Sequence, residues 1–261
     1  MITIPNKVKD RITKGLRKFQ KVLATAKDND INESDTVAII KDMLDEIFGY
    51  DKYAEITSEY AIKSTFCDLA IKKDATPCML IEVKAIGTTL KDAHTKQALD
   101  YGANAAVDWI ILTNGVVWKV YRIVFGKPIN TELVYEFDML EISARKQSDL
   151  EMVFYLSKEA VLRTKTNTLL EDFQEQKQLI SRYMIGQLLL SEDIINTLRR
   201  SLRKIAPAAK IAPDEIKQVL EVEVIKREVF DDERSKDAKR RIARAARQAA
   251  PKKISSPSDA G

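Results

Sequence analysis

The sequence predicts an α/β protein in which a mixed β-sheet is flanked by helices and followed by a mainly helical C-terminal extension. Three observations carry this. Short apolar runs separated by polar breaks, Thr65 to Ile71 and Pro77 to Lys84 above all, read as paired strands. Helical periodicity frames them, with Val37, Ile40, Met43, Leu44, Ile47 and Phe48 ahead and Leu90 to Ala106 behind. Beyond about residue 140, apolar residues recur at helical spacing, from Leu150, Val153 and Phe154 to Leu198 and Leu202.

The elements follow in order. Residues 1–30 are expected to form an N-terminal helix, and 31–140 a sheet-centred core. Glu33 opens the first core helix, which ends at Gly49. Lys72-Lys73-Asp74-Ala75-Thr76 is a polar turn that makes the two strands an antiparallel pair. Leu90 to Ala106 then crosses the sheet, with alanines small enough for close packing. Asn114-Gly115, between Asp108 to Thr113 and Val116 to Val124, predicts a type I′ hairpin, because both central residues of that turn need positive φ. Pro128 to Met139 is an irregular or edge segment. In the helical extension, 141–232, Ser148 with Glu151 predicts a capping box, and Ser157 and Ser191 predict further caps. Pro213-Asp214-Glu215 starts a short helix, and the alternation of Val222 to Val229 predicts a strand. Residues 233–261 form a basic tail whose end, Ser255 to Gly261, is expected to be disordered.

Composition narrows the class. The chain has 261 residues, 45% hydrophobic and 31% charged, enough apolar residues for a sizeable core. No run approaches the roughly 18–20 apolar residues of a membrane helix, and Met1 to Lys7 lacks a signal-peptide stretch, so a cytoplasmic protein with no membrane partner is expected. Cys67 and Cys78, both in apolar strands, read as reduced core residues. His94 is the only histidine and reads as a helix-surface residue, which argues against zinc sites and histidine triads.

One constellation carries chemistry. Asp68 lies on the first strand and Glu82-Val83-Lys84 closes the second, so pairing brings the two acids together. Glu82 and Lys84 share a strand face, while Ile81 and Val83 point the other way. Two carboxylates offer hard oxygen ligands for Mg2+, which usually takes one or two from protein and the rest from water and phosphate. The ammonium of Lys84 can hold or deprotonate a water and offset charge on a phosphate. Glu-x-Lys alone is common on exposed strands. Glu33 by itself reads equally as a first-turn acid matched to the helix dipole. Gln97 and Tyr101, four apart on one helix face, read equally as packing residues.

In combination these phrases resemble a known family. Asn32-Glu33-Ser34-Asp35-Thr36, Phe48-Gly49-Tyr50-Asp51, Ile81-Glu82-Val83-Lys84-Ala85, the Gln97-x-x-x-Tyr101 pair and Trp109 to Gly115 with Trp118 and Tyr121 occur in order. The run from Glu33 to about Val124 is similar to the N-terminal nuclease domain of type I restriction enzyme R subunits, in the PD-(D/E)xK superfamily. The resemblance implies a restriction-endonuclease-like sheet and a Mg2+- or Mn2+-dependent DNA endonuclease acting in defence against foreign DNA. It implies Asp68, Glu82 and Lys84 as the catalytic trio, supported by Gln97 and Tyr101. Glu33, Asp68, Glu82 and Val83 are implied at the metal. Cys67 stands where the family motif has proline.

The formal charge of the whole chain is only +4, whereas the charged residues from Arg234 to Lys253 are all Lys or Arg except Asp237. Such a segment is either a solvated tail or a phosphate-backbone contact. Beside a nuclease motif it is taken as DNA-binding, through Lys239, Arg240, Arg241, Arg244 and Arg247. The chain has no Gly-x-x-x-x-Gly-Lys-Ser/Thr loop, hence no ATP site and no translocase of its own. The expected partners are DNA and either a second copy or another restriction or defence subunit. A non-catalytic DNA-binding or scaffolding protein on the same fold is the alternative.

Overall fold

The computed structural model describes residues 2–62, 65–125, 129–162, 168–230 and 232–249. They form two compact units, Met1–Gln174 and Glu175–Gly261. The expected disorder of Ser255 to Gly261 lies outside the described residues. Among those residues no helix is long and apolar enough to cross a membrane.

The first unit is built on six strands in the order β1-β2-β3-β4-β5-β6, so that every strand neighbours the next in sequence. They are β1 (Ile56–Ile62), β2 (Thr65–Lys73), β3 (Thr76–Val83), β4 (Trp109–Thr113), β5 (Val117–Val124) and β6 (Asn130–Asp138). All pairs are antiparallel except β3 with β4. A parallel pair needs a crossover, and α3 (Asp92–Ala105) supplies it. Residues expected to be irregular or at an edge thus include a regular edge strand, β6; positions 126–128 lie outside the described residues.

Alternation along the central strands sorts the two faces. Leu69, Ile71, Met79, Ile81, Val83, Ile111, Trp118 and Val120 bury against α1 (Asn6–Asp28) and α2 (Glu33–Glu46), through Ile12, Leu16, Phe19, Leu23, Ile40 and Met43. The short helices α4 (Gln147–Phe154) and α5 (Lys158–Val161) add Leu150, Val153, Phe154 and Ala160 to that layer. On the other face α3 meets Leu80, Ile110, Leu112, Tyr121 and Ile123. Its buried residues are only Ala98 and Gly102, so backbone comes close to sheet. A Cβ on Gly102 would lie 2.3 Å from Ile123 Cδ1 and 2.9 Å from Ile110 Cγ2.

The β4–β5 turn departs from the expected type I′ geometry. Gly115 has φ +85°, but Asn114 does not take positive φ. Instead Asn114 Oδ1 accepts from the amides of Val116 and Val117, and Asn114 Nδ2 donates to the carbonyls of Ile86 and Thr88 at 3.1 and 3.0 Å. The side chain ties down the loop that follows Lys84, and Trp118 Nε1 closes the turn on the Gly115 carbonyl. The turn with two consecutive positive φ values is Asp74-Ala75, between β2 and β3.

The second unit begins within α6 (Leu169–Leu179) and contains α7 (Arg182–Leu189), α8 (Glu192–Ile205), α9 (Pro213–Val219) and α10 (Glu233–Ala249). Tyr183, Ile195, Ile216, Leu220, Ile225 and Val229 form its core. The strand expected over Val222 to Val229 is absent. A π-helical turn, Leu220–Val224, and a 3-10 turn, Arg227–Val229, stand there. With no sheet among the described residues of this unit to pair with, burial goes to Leu220, Ile225 and Val229, leaving Val222 and Val224 exposed. The three expected caps also differ, Ser157 standing at the N-cap of α5 without a capping hydrogen bond. Ser148 sits inside α4, whose N-cap is Lys146, and Ser191 precedes α8 but donates to the Leu188 carbonyl instead of capping.

Because Gly102 sets the approach of α3 to the sheet, Gly102→Val is expected to lower stability by about 1–3 kcal/mol through overpacking, read as a reduced urea midpoint.

Candidate active site

The site is organised where β2 and β3 part. Their ladder runs from Lys73↔Thr76 to Leu69↔Ile81 and stops there. At the next step Asp68 Oδ2 accepts the amide of Val83 at 2.7 Å, so a side chain takes the place of a strand carbonyl. The thiol of Cys67 fills the neighbouring gap, 3.4 Å from the Ile81 carbonyl and 3.5 Å from that of Leu69. On its other side β3 stays paired, with Glu82 opposite Leu112 and the Lys84 amide donating to Thr113. One edge of β3 is therefore held and the other opened.

Glu82 alternates with Leu80, and so faces the α3 side of the sheet while Ile81 and Val83 enter the opposite core. It is only 2% exposed. Lys84 Nζ donates to Glu82 Oε1 at 2.7 Å and lies 3.7 Å from Glu33 Oε2. Glu33 is placed by Asn32, whose side chain caps α2 by accepting the Asp35 amide. The second oxygen of Glu82, Oε2, is buried with no hydrogen-bond partner.

Burial dominates the electrostatics. It pushes the Glu82 carboxyl up to about 7, helped by Asp68 and Glu33 and opposed by Lys84. Asp68 is raised by burial too, against the Val83 amide and Lys84, which favour its charged form. Burial alone would lower the Lys84 ammonium, but its hydrogen bond to Glu82 and the charges of Glu82, Glu33 and Asp68 outweigh this and raise it. Burial drives the Cys67 thiol up to about 12, so it stays protonated and able to donate.

Gln97 and Tyr101 face each other on α3, with Gln97 Nε2 donating to Tyr101 Oη at 2.9 Å. Tyr101 packs with the α3-side cluster. Neither has a hydrogen bond to Asp68, Glu82 or Lys84 among the described residues. His94 closes the start of α3, Nδ1 accepting the Lys91 amide at 3.3 Å. Val83 is buried in the core and its amide is taken by Asp68, so its carbonyl oxygen is its one donor for a cation. Among the described residues no group of three or more His, Cys, Asp or Glu side chains is gathered as a metal cluster.

The structure adds residues that the motif reading passed over. Asn114, read there as a turn former, anchors the loop after Lys84. Glu59, at φ +48°, acts on Asp68 through its charge. No motif marks it; its position appears only once β1 lies beside β2.

On α10, Lys239, Arg240, Arg244 and Arg247 are exposed. Arg241 is turned inward, 3.5 Å from Glu175 and donating to Gln178 at 3.0 Å, and Arg240 lies 3.5 Å from Asp237.

No curated protein and no solved structure matches the chain. Residues 39–137, from the second turn of α2 into β6 and spanning Asp68, Glu82, Lys84, Gln97 and Tyr101, match the family model of the type I restriction enzyme R protein N terminus.

Proposed function

We propose that the protein is a Mg2+-dependent DNA endonuclease that hydrolyses phosphodiester bonds, Mn2+ serving in place of Mg2+. The observation that carries this is Glu82: a carboxylate buried beside Asp68, with one oxygen bonded to Lys84 and the other without a partner. A buried unpartnered oxygen is costly in an apolar setting and is a natural cation ligand. Two carboxylates suffice for Mg2+, so the lack of a three-acid cluster does not count against the fit. Asp68 and Glu82 would hold the ion, with the Val83 carbonyl and Glu33 at its margin.

When bound, Mg2+ supplies Lewis-acid polarisation of the phosphodiester and acidifies a water. Lys84, on the same strand face as Glu82, orients the attacking water or donates to a phosphate oxygen as charge builds there. Asn114 fixes the loop beyond Lys84 and so limits the lysine's travel. Gln97 and Tyr101 hold the α3 side of the substrate path, and the exposed cations of α10, Lys239, Arg240, Arg244 and Arg247, bind backbone phosphates. Arg241, already paired within its unit, contributes least. Cutting both strands calls for two such centres, supplied by a second copy or another restriction subunit.

Plasmid DNA is expected to be nicked or cut with Mg2+ and left intact with chelator. Asp68→Ala and Lys84→Ala are each expected to reduce cleavage about 10²-fold or more. Undiminished cutting by both variants would remove the site assignment; salt-sensitive binding without cleavage in any metal would favour the non-catalytic reading.

Stability gives a check that does not depend on activity. The Glu82 carboxyl is raised to about 7 from its ordinary 4.5, so between those values the native state holds more protons than the unfolded chain. The metal-free protein should therefore lose stability as pH rises through that window and level off above it. Glu82→Gln removes this slope. The Tm advantage of the variant over the wild type in chelator should grow from pH 5 to pH 7 and then hold constant. At pH 8, Mg2+ should raise the Tm of the wild type but not of the variant, because a ligand that binds only the native state stabilises it.

A further inference from the structure

We infer that the C-terminal end of α8 is a second nucleic-acid contact, a phosphate-backbone site separate from α10. Arg199, Arg200, Arg203 and Lys204 fall within six residues, and Lys210 follows. Arg199 with Arg203, and Arg200 with Lys204, are four apart and share a helix face, where like charges repel and weaken the helix. Among the described residues none of these five cations lies within ion-pair distance of a carboxylate. The acids of α8, Glu192 and Asp193, stand in its first turn at the opposite end. Arg199 is held by the Ile211 carbonyl and Arg200 by Asn196 and Thr197, while Arg203 and Lys204 are exposed.

The helix dipole favours cations in the last turn, which accounts for Arg203 and Lys204 but not for Arg199 and Arg200 a turn earlier. Comparison with α10 sharpens the point. There Lys236, Arg240 and Arg241 are each partnered by a carboxylate of the same unit, Glu233, Asp237 and Glu175. The more basic sequence is thus partly neutralised, and the less conspicuous one is not. The whole unit is cationic, since residues 175–261 hold 19 lysines and arginines against 13 aspartates and glutamates.

The occupant that fits is the phosphodiester backbone of a nucleic acid. Three of the four clustered cations are arginines, whose planar fork pairs with phosphate through two parallel hydrogen bonds. An anionic membrane would call for an apolar stripe along the helix. In α8 Ile195 is buried in the unit's core with Leu198 packed against it, while Ile194, Leu202 and Ile205 stay exposed, so the arginine forks decide for phosphodiesters and vesicle binding is the outcome that would decide for membranes. The choice of DNA rests on the nuclease reading above; the site itself does not.

The test is binding of the full chain to a fluorescent DNA duplex in chelator, across salt concentrations. Substituting Arg200→Gln, Arg203→Gln and Lys204→Gln together should weaken binding about tenfold or more near physiological salt and flatten the slope of log K against log salt by about 2–3. Should the triple variant melt early by circular dichroism, Arg203→Gln alone should still flatten the slope by about 1. Unchanged affinity and slope would overturn the inference. So would intact DNA binding with lost binding to phosphatidylserine vesicles, which would assign the surface to membranes. Wild-type protein that binds through these cations yet never cuts DNA overturns the nuclease reading and leaves this site standing. Cleavage that survives while the α8 variant binds normally does the reverse.

Discussion

The candidate site depends on one hydrogen bond, from the Val83 amide to the carboxylate of Asp68. A strand in the middle of a sheet ordinarily exchanges both its edges for ladder bonds, and a buried amide left without a partner is strongly disfavoured. β3 keeps its ladder to β4 from Met79 to Val83, past the acids, whereas its ladder to β2 ends one residue before them. Asp68 supplies the missing acceptor and Cys67 the neighbouring donor. The strands can separate there without leaving backbone groups unsatisfied, and the separation makes room between two carboxylates that an unbroken sheet would not leave.

That room comes at the expense of stability. Two acids and a lysine are gathered in a place where burial disfavours charge, and one Glu82 oxygen has nothing to bond. An apolar residue would serve the core better at that position. Charged residues retained against the interest of the fold are characteristic of binding and catalytic centres, where perturbed carboxyls concentrate. Lys84 offsets part of the penalty, and in doing so stands between Glu82 and Glu33. The cluster is in this sense poised. Its ammonium neutralises the acids until something with a stronger claim on them arrives.

The second unit follows a different logic. Its core is small, six residues led by Tyr183 and Ile195, and its chain turns by short helical segments instead of strands. How far each of its cations is available is decided by local carboxylates: Asp237 and Glu175 engage two of the arginines that composition singled out on α10, while among the described residues no carboxylate lies within ion-pair distance of the cations at the basic end of α8. Net charge along the chain is therefore a poor guide to free charge on the surface.

Alternation in Leu80-Ile81-Glu82-Val83 and the helical spacing ahead of Gly49 were enough to place β2, β3, the helix before them and the strand face shared by Glu82 and Lys84, because these are period-2 and period-3.6 properties of local chain, whereas β1 and the regularity of β6 were not legible in it. The order of acid, acid and lysine was likewise legible, since a strand pair joined by a tight turn leaves few registers. What the tertiary structure alone decided were matters of partnership. Asn114 read as a turn former because its nearest neighbour is glycine, but its side chain is spent on a loop 26 and 28 residues away. Val222 to Val229 alternates like a strand, yet a strand needs a sheet edge, and the second unit offers none among the described residues. The break in the β2–β3 ladder, the orphaned oxygen of Glu82 and the unpaired cations of α8 each depend on which groups lie across space, and a hydrogen bond or an ion pair is settled by distance and not by sequence separation.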